Sequence, residues 1–149
     1  MTHSSFSFEK IIPDTSQIER LYELLNQRKH RISHSQTVSF EDHALFVQNH
    51  PYRAWYLVGV NDVVVGSFYI SNENTIGINI DACNEGNLVS KILSYVEERY
   101  VPLEAILSVR SGVFSINVAP QNEFLLQALN RLKAPVAQIT YYLPNHQMQ

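Results

Sequence analysis

The sequence predicts an α/β (α+β) fold: a mixed, mostly antiparallel six- to seven-stranded sheet with helices on both faces. Three observations carry this. Three short apolar runs follow one another, Trp55-Tyr56-Leu57-Val58-Gly59-Val60, Val63-Val64-Val65-Gly66-Ser67-Phe68-Tyr69-Ile70 and Thr75-Ile76-Gly77-Ile78-Asn79-Ile80. Asn61-Asp62 and Glu73-Asn74 stand between them, where tight hairpin turns belong. The meander then runs into a helix–strand–helix–strand series, whose first crossover should be parallel and right-handed.

The elements follow in order. Phe6-Ser7-Phe8-Glu9-Lys10-Ile11-Ile12 alternates as a first strand and is stopped by Pro13. Asp14 or Thr15 caps a helix whose Ile18, Leu21, Leu24 and Leu25 recur at helical spacing, ending near Lys29. Ser39-Phe40-Glu41-Asp42 resembles a capping box and opens a short helix with Leu45, Phe46 and Val47, closed off by Pro51. After the meander, apolar residues at 88, 89, 92, 93 and 96 mark an amphipathic helix over residues 88–100. Residues 103–111 are ambiguous, a helical turn at Leu103–Leu107 and then loop being one reading. Val113-Phe114-Ser115-Ile116-Asn117-Val118 is a strand, and Pro120-Gln121-Asn122 opens a helix carrying Phe124, Leu125, Ala128, Leu129 and Leu132. Residues 136–143 are expected to close the sheet, and the tail at 144–149 to be disordered.

With 149 residues, 45% of them apolar, the chain fits one domain spanning 1–149 with a real core. A formal charge of −3 gives no electrostatic case for nucleic acid or an anionic membrane. The basic run Arg28-Lys29-His30-Arg31 reads as a solvated helix end, with phosphate contact as the competing reading. The single cysteine, Cys83, excludes an internal disulfide and offers no paired-thiol metal site. The six histidines lack metal-ligand spacing, so no metal is expected. No segment approaches the ~18 apolar residues of a membrane helix, so a cytoplasmic location is the default expectation.

A strand that feeds a helix leaves a row of backbone N–H groups at the helix N-terminus, which suits a phosphate. The element order, together with three local patterns, resembles the GCN5-related N-acetyltransferase (GNAT) superfamily over nearly the whole chain. The first pattern is residues 21–33 followed by Glu41-Asp42-His43, Tyr52-Arg53 and Trp55-Tyr56-Leu57-Val58, similar to a bacterial subgroup tied to amino-sugar acylation. The second is Val65-Gly66-Ser67 running into Ile76-Gly77-Ile78-Asn79-Ile80. The third is Ile116-Asn117-Val118-Ala119-Pro120-Gln121-Asn122, then a helix, then Gln138-Ile139-Thr140-Tyr141.

The resemblance implies an acyl-CoA N-acyltransferase fold, acetyl-CoA as acyl donor and a small-molecule amine as acceptor. The pantetheine would lie between two splayed parallel strands, bonded to the backbone near Ile78 and Ile80. The pyrophosphate would rest on Gly86, Asn87, Leu88, Val89 and Ser90. Here the chain reads Glu85-Gly86-Asn87-Leu88-Val89-Ser90 where the family has Gln/Arg-x-x-Gly-x-Gly/Ala. Asn122 matches an asparagine that faces the cofactor.

Acyl transfer to an amine needs a base for the ammonium and an acid for the leaving thiolate. Asp81, at the end of the 75–81 strand, is the candidate base; a turn residue or helix cap is the competing reading. Tyr141 is the candidate acid, against a half-buried strand aromatic. His34 and His43 fall in the helical region that forms the acceptor pocket in this superfamily, against surface or capping roles. Two readings stay open, an N-acetyltransferase and a catalytically silent domain of the same fold used for binding or regulation. Paired sheet edges make a homodimer an expectation in either case.

Overall fold

The computed structural model of the chain describes residues 5–27, 38–80 and 87–144. Its elements are β1 (Phe6–Lys10), α1 (Thr15–Gln27), α2 (Phe40–Gln48), β2 (Ala54–Val60), β3 (Val63–Ile70), β4 (Thr75–Ile80), α3 (Leu88–Arg99), β5 (Ser115–Ile116) and α4 (Glu123–Arg131). The sheet has the order β1-β2-β3-β4-β5; the first three pairings are antiparallel and β4–β5 is parallel.

The turn chemistry works as the sequence implied. Asn61 and Asp62 both take positive φ, 51° and 68°, the geometry of a two-residue hairpin with matched twist. Between β3 and β4 only Asn74 enters the left-handed region, at φ 65°. Helix starts are equally explicit. Asp14 accepts the Gln17 N–H at 2.8 Å, which settles the choice of cap for α1. Ser39 accepts the Asp42 N–H at 3.2 Å and caps α2.

Alternation along the strands sends side chains to two cores. Tyr56, Val58, Phe68, Ile70, Ile76 and Ile78 pack with Leu88, Val89, Ile92 and Val96 of α3 and with Leu125 and Ala128 of α4. On the opposite face Trp55 and Leu57 meet Ile11, Ile18, Leu21 and Val47, with Tyr52 and Tyr69 against them. Tyr52 stacks on Tyr69 with centroids 3.9 Å apart. Gly77 permits this: a Cβ there would stand 2.1 Å from the Tyr69 ring. Helices therefore do cover both faces.

Three expectations are corrected. The described sheet has five strands, not six to seven. The strand expected over 113–118 is paired only at Ser115 and Ile116, because β4 and β5 part after that point. Residues 136–143 form no strand: they are exposed, with no backbone hydrogen bond to a described residue. A strand exists only where a neighbour takes its backbone groups, and here the described residues supply none. No helical turn forms at Leu103–Leu107: residues 103–105 are irregular, and a turn over 107–109 is bridged by Ile106 and Arg110. The 145–149 part of the tail lies outside the described residues.

Candidate functional site

The site is built on the parting of two parallel strands. β4 and β5 pair at Thr75 with Ser115 and at Ile76 with Ile116, and no further. β4 runs on through Gly77, Ile78, Asn79 and Ile80, bonded only to β3. The Asn74 carbonyl accepts the Ser115 N–H at 3.0 Å, which fixes which backbone groups face β5. Since backbone direction alternates along a strand, Ile76, Ile78 and Ile80 turn their N–H and C=O groups to that same side. Ile76 meets β5; beyond it, Ile78 and Ile80 face a gap.

Asn74 holds the closed end of this gap. Its side chain is fully buried, donates to the carbonyls of Leu103 and Ser111 at 2.8 and 2.7 Å, and accepts the Leu103 N–H at 2.8 Å. Arg110 adds bonds to the carbonyls of Glu104 and Asn72. The loop from α3 to β5 is thereby tied to the β3–β4 turn, and β5 starts where β4 starts. Sequence reasoning took Asn74 as a turn residue only. Its place in a turn was legible; a buried amide serving a loop about 30 residues on leaves no local signal.

Two helices begin after the parted strands. In α3 the first bond within the helix runs from Lys91 N–H to the Asn87 carbonyl. The N–H groups of Asn87, Leu88, Val89 and Ser90 thus have no partner inside the helix, and they carry the positive end of its dipole. Asn87 makes no side-chain cap. Leu88 and Val89 are buried in the core beside Ile92 and Val96, so their side chains are directed into the protein. In α4 the Asn122 side chain accepts the Leu125 N–H at 3.2 Å, and Asn122 is itself buried.

A cavity of about 620 Å³ opens on the same face, between α3, β5 and the C-terminal end of α4. Ile76, Leu93, Glu97, Phe114, Ile116 and Leu129 are among its walls, and Ser90 is the one expected site residue that borders it.

The remaining expected residues are not brought together. Asp81, Gly86 and His34 lie outside the described residues, as do Cys83, Glu85 and the basic run. His43 is buried, its Nε2 3.1 Å from the Ile18 carbonyl and its ring against Tyr22. Burial holds its pKa below the ordinary imidazole value, against a smaller opposing effect of the Ile18 carbonyl. His43 therefore ties α2 to α1, and only its Nδ1 is left for any other contact. Tyr141 is 83% exposed on the unpaired segment after α4, so nothing holds its phenol against the gap in a lone chain. The phenol most perturbed is Tyr56, pushed well above its usual range by burial and then by its bond to the Tyr100 hydroxyl. No group of three or more His, Cys, Asp or Glu among the described residues could hold a metal ion. No described helix is long and apolar enough to cross a membrane.

No family model matches the sequence, and no curated protein matches it in sequence. Solved structures do match in fold. An aminoglycoside N-acetyltransferase, AAC(6')-Iy, in complex with CoA superposes with a TM-score of 0.60 at 9% identity, over 97% of this chain and 98% of the other. The N-acetyltransferase PseH of Campylobacter jejuni gives 0.57 at 13% identity, over 91% of each chain. A dodecameric spermidine N-acetyltransferase of Vibrio cholerae gives 0.51 at 11% identity, over 85% of this chain and 77% of the other. A meander of four antiparallel strands, a parallel fifth strand that parts from the fourth, and helices on both faces give this chain the fold that these N-acetyltransferases share.

Proposed function

We propose that this chain is an acetyl-CoA-dependent N-acetyltransferase acting on a small amine, with an amino sugar as the favoured acceptor. The observation that carries the reading is the gap between β4 and β5, with the backbone groups of Ile78 and Ile80 turned into it. The neighbours in fold are N-acetyltransferases, one in complex with CoA and one named for spermidine.

The residues present fit such a cofactor. An extended amide chain could be bound by Ile78 and Ile80 as an added strand would be, through backbone bonds alone. The N–H groups of Asn87, Leu88, Val89 and Ser90, without a partner inside the helix, suit a pyrophosphate. Leu88 and Val89 bury their side chains in the core, so their amides carry no bulk outward. Asn122 stands at the second helix start as the other flank. When bound, acetyl-CoA supplies a thioester whose C–S bond breaks as the amine nitrogen bonds to the acyl carbon. Asp81, next in sequence after the last residue of β4, is the base that takes the ammonium proton. His34, outside the described residues, is proposed as an acceptor contact, since an amine with hydroxyl neighbours would need hydrogen-bond partners.

A catalytically silent domain of the same fold is the second reading. It is favoured by the sequence of the cradle, where Glu85 replaces the family's basic or amide residue and Leu88 its central glycine. One titration separates the two. Calorimetry with acetyl-CoA should show saturable binding, followed by acetyl transfer to a panel of amino sugars and polyamines. Ser90→Pro removes one first-turn N–H at a position where proline is tolerated, and should weaken binding about tenfold or more. No heat and no thermal shift at millimolar acetyl-CoA would eliminate the transferase.

A further inference from the structure

The gap between β4 and β5 has a fixed closed end. Thr75 pairs with Ser115 and Ile76 with Ile116, and beyond these the strands part. A pyrophosphate at the start of α3 sets the direction of its ligand. β4 ends at Ile80 and α3 begins at Leu88, so a pantetheine runs from there back along Ile80 and Ile78. Its thioester end then arrives at the Ile76–Ile116 pair. Acyl carbons beyond the carbonyl cannot continue in the plane of the sheet, because the paired strands close it. They must turn onto one face.

The two faces differ at that level. On the face of α1 and α2, the Tyr69 ring lies over Gly77, where a Cβ would meet it, and stacks on Tyr52. That side of β4 is filled by rings. On the face of α3 and α4, the cavity of about 620 Å³ has Ile76 and Ile116 in its walls, so it reaches the closed end of the gap. Half-buried Leu93, Phe114 and Leu129 carry it on between the helices. At its mouth Glu97, Val113 and Leu132 are exposed. Apolar walls therefore lead outward from the closed end, and the carboxylate stands where the channel meets water. The volume is that of a small-ligand site, far more than a methyl group fills.

We infer that this cavity takes the tail of the acyl donor, so that straight-chain thioesters such as butanoyl- and hexanoyl-CoA are preferred to acetyl-CoA. The inference rests on the transferase reading of the gap and names its donor class. The chemistry is that of acetyl transfer: the acyl carbon gains a bond to the amine nitrogen and loses its bond to sulfur, and the proton shed by the attacking amine ends on the CoA sulfur. Each methylene moved from water into the channel strengthens binding. Glu97 disfavours a tail that ends in a carboxylate, by like-charge repulsion.

The test is calorimetry on the full chain without acceptor, using acetyl-, butanoyl-, pentanoyl- and hexanoyl-CoA. Affinity should rise about threefold per added methylene. Glutaryl-CoA should bind more weakly than pentanoyl-CoA of the same length, and Glu97→Gln should narrow that difference. Leu129→Trp and Leu132→Trp fill the channel at its middle and at its mouth, and each should lower the hexanoyl-to-acetyl affinity ratio towards one. Leu132 is 45% exposed, so its variant folds even where a tryptophan at Leu129 overpacks the interior. Acetyl-CoA binding with no gain for hexanoyl-CoA would overturn the channel and leave the transferase standing. A gain that survives both tryptophans would put the tail elsewhere and overturn it equally. No binding of any of these thioesters would remove the transferase reading, and this inference with it.

Discussion

Residues 5–80 and residues 101–144 are built to different standards. The first region fills two cores; Phe68, Ile70 and Val58 are wholly buried, and aromatic rings meet edge to face across the strands. In the second, β5 is two residues long and the segment after α4 touches neither core. Twelve of the seventeen large apolar side chains that stand exposed among the described residues lie after Tyr100. A meander of hairpins closes locally and needs nothing else. A parallel strand at the sheet edge has only one neighbour to hold it, so the region after it depends on what arrives later in the chain or from another copy.

The largest test of this contrast is a pair of matched truncations. Phe68→Ala should cost about 3–5 kcal/mol in urea unfolding, because a fully buried ring leaves a cavity beside Tyr56 and Tyr95. Tyr141→Ala should stay within about 0.5 kcal/mol for a lone chain.

Asn74 joins the two regions, and its removal should come next in size. Asn74→Ala strands one buried N–H and two carbonyls and puts a β-carbon at φ 65°, so about 3 kcal/mol is expected. Asn74→Asp keeps the acceptor for Leu103 N–H and tolerates the left-handed turn, but sets a buried carboxylate against the carbonyls of Leu103 and Ser111, so at neutral pH it should cost at least as much as the alanine. A loss well below that of the alanine would show that turn strain, not the side-chain bonds, is what matters there. On the packed side, Gly77→Ala forces a Cβ into the Tyr69 ring and should cost about 2 kcal/mol, read in the same melts.

What the sequence made legible follows the same division. The hairpin dipeptides, the Ser39 cap and the apolar alternation of β2 to β4 are local signals, and each appears where the residues put it. The parting of β4 and β5 was expected from resemblance; no spacing in residues 113–118 encodes it, since it depends on Asn74 pinning a loop far along the chain. The site divides likewise. The α3 start was legible because a strand-to-helix junction leaves N–H groups unpaired whatever its side chains. The surroundings of His43 and Tyr141 were not legible, for opposite reasons. A histidine on a helix reads alike whether it faces solvent or another helix's carbonyl. A strand-like run reads alike whether its partner strand belongs to the same chain or not.

A pH titration sharpens the comparison within the packed half. His43 and His50 both sit below the ordinary imidazole value because burial disfavours their charged forms. Below pH 6.5 the unfolded chain takes up protons at these sites that the folded chain resists, so stability should fall as pH drops from 7.5 towards 5. His43→Gln, which can keep a donor to the Ile18 carbonyl, should flatten that slope. A slope unchanged in the variant would mean that other groups set the pH dependence.

The smallest expected effect lies at the hinge between the two standards of packing. Lys133 adopts φ 61° at the position where a helix of this ending normally carries glycine. A side chain in the left-handed region costs on the order of 1 kcal/mol, which glycine would not incur, although glycine loosens the unfolded chain. Lys133→Gly should therefore stabilise by about 0.5 kcal/mol in thermal or urea melts. Should it destabilise instead, the lysine would be fixing the direction in which residues 136–143 leave the helix. That sign would show that the direction of this exit outweighs the backbone strain at Lys133.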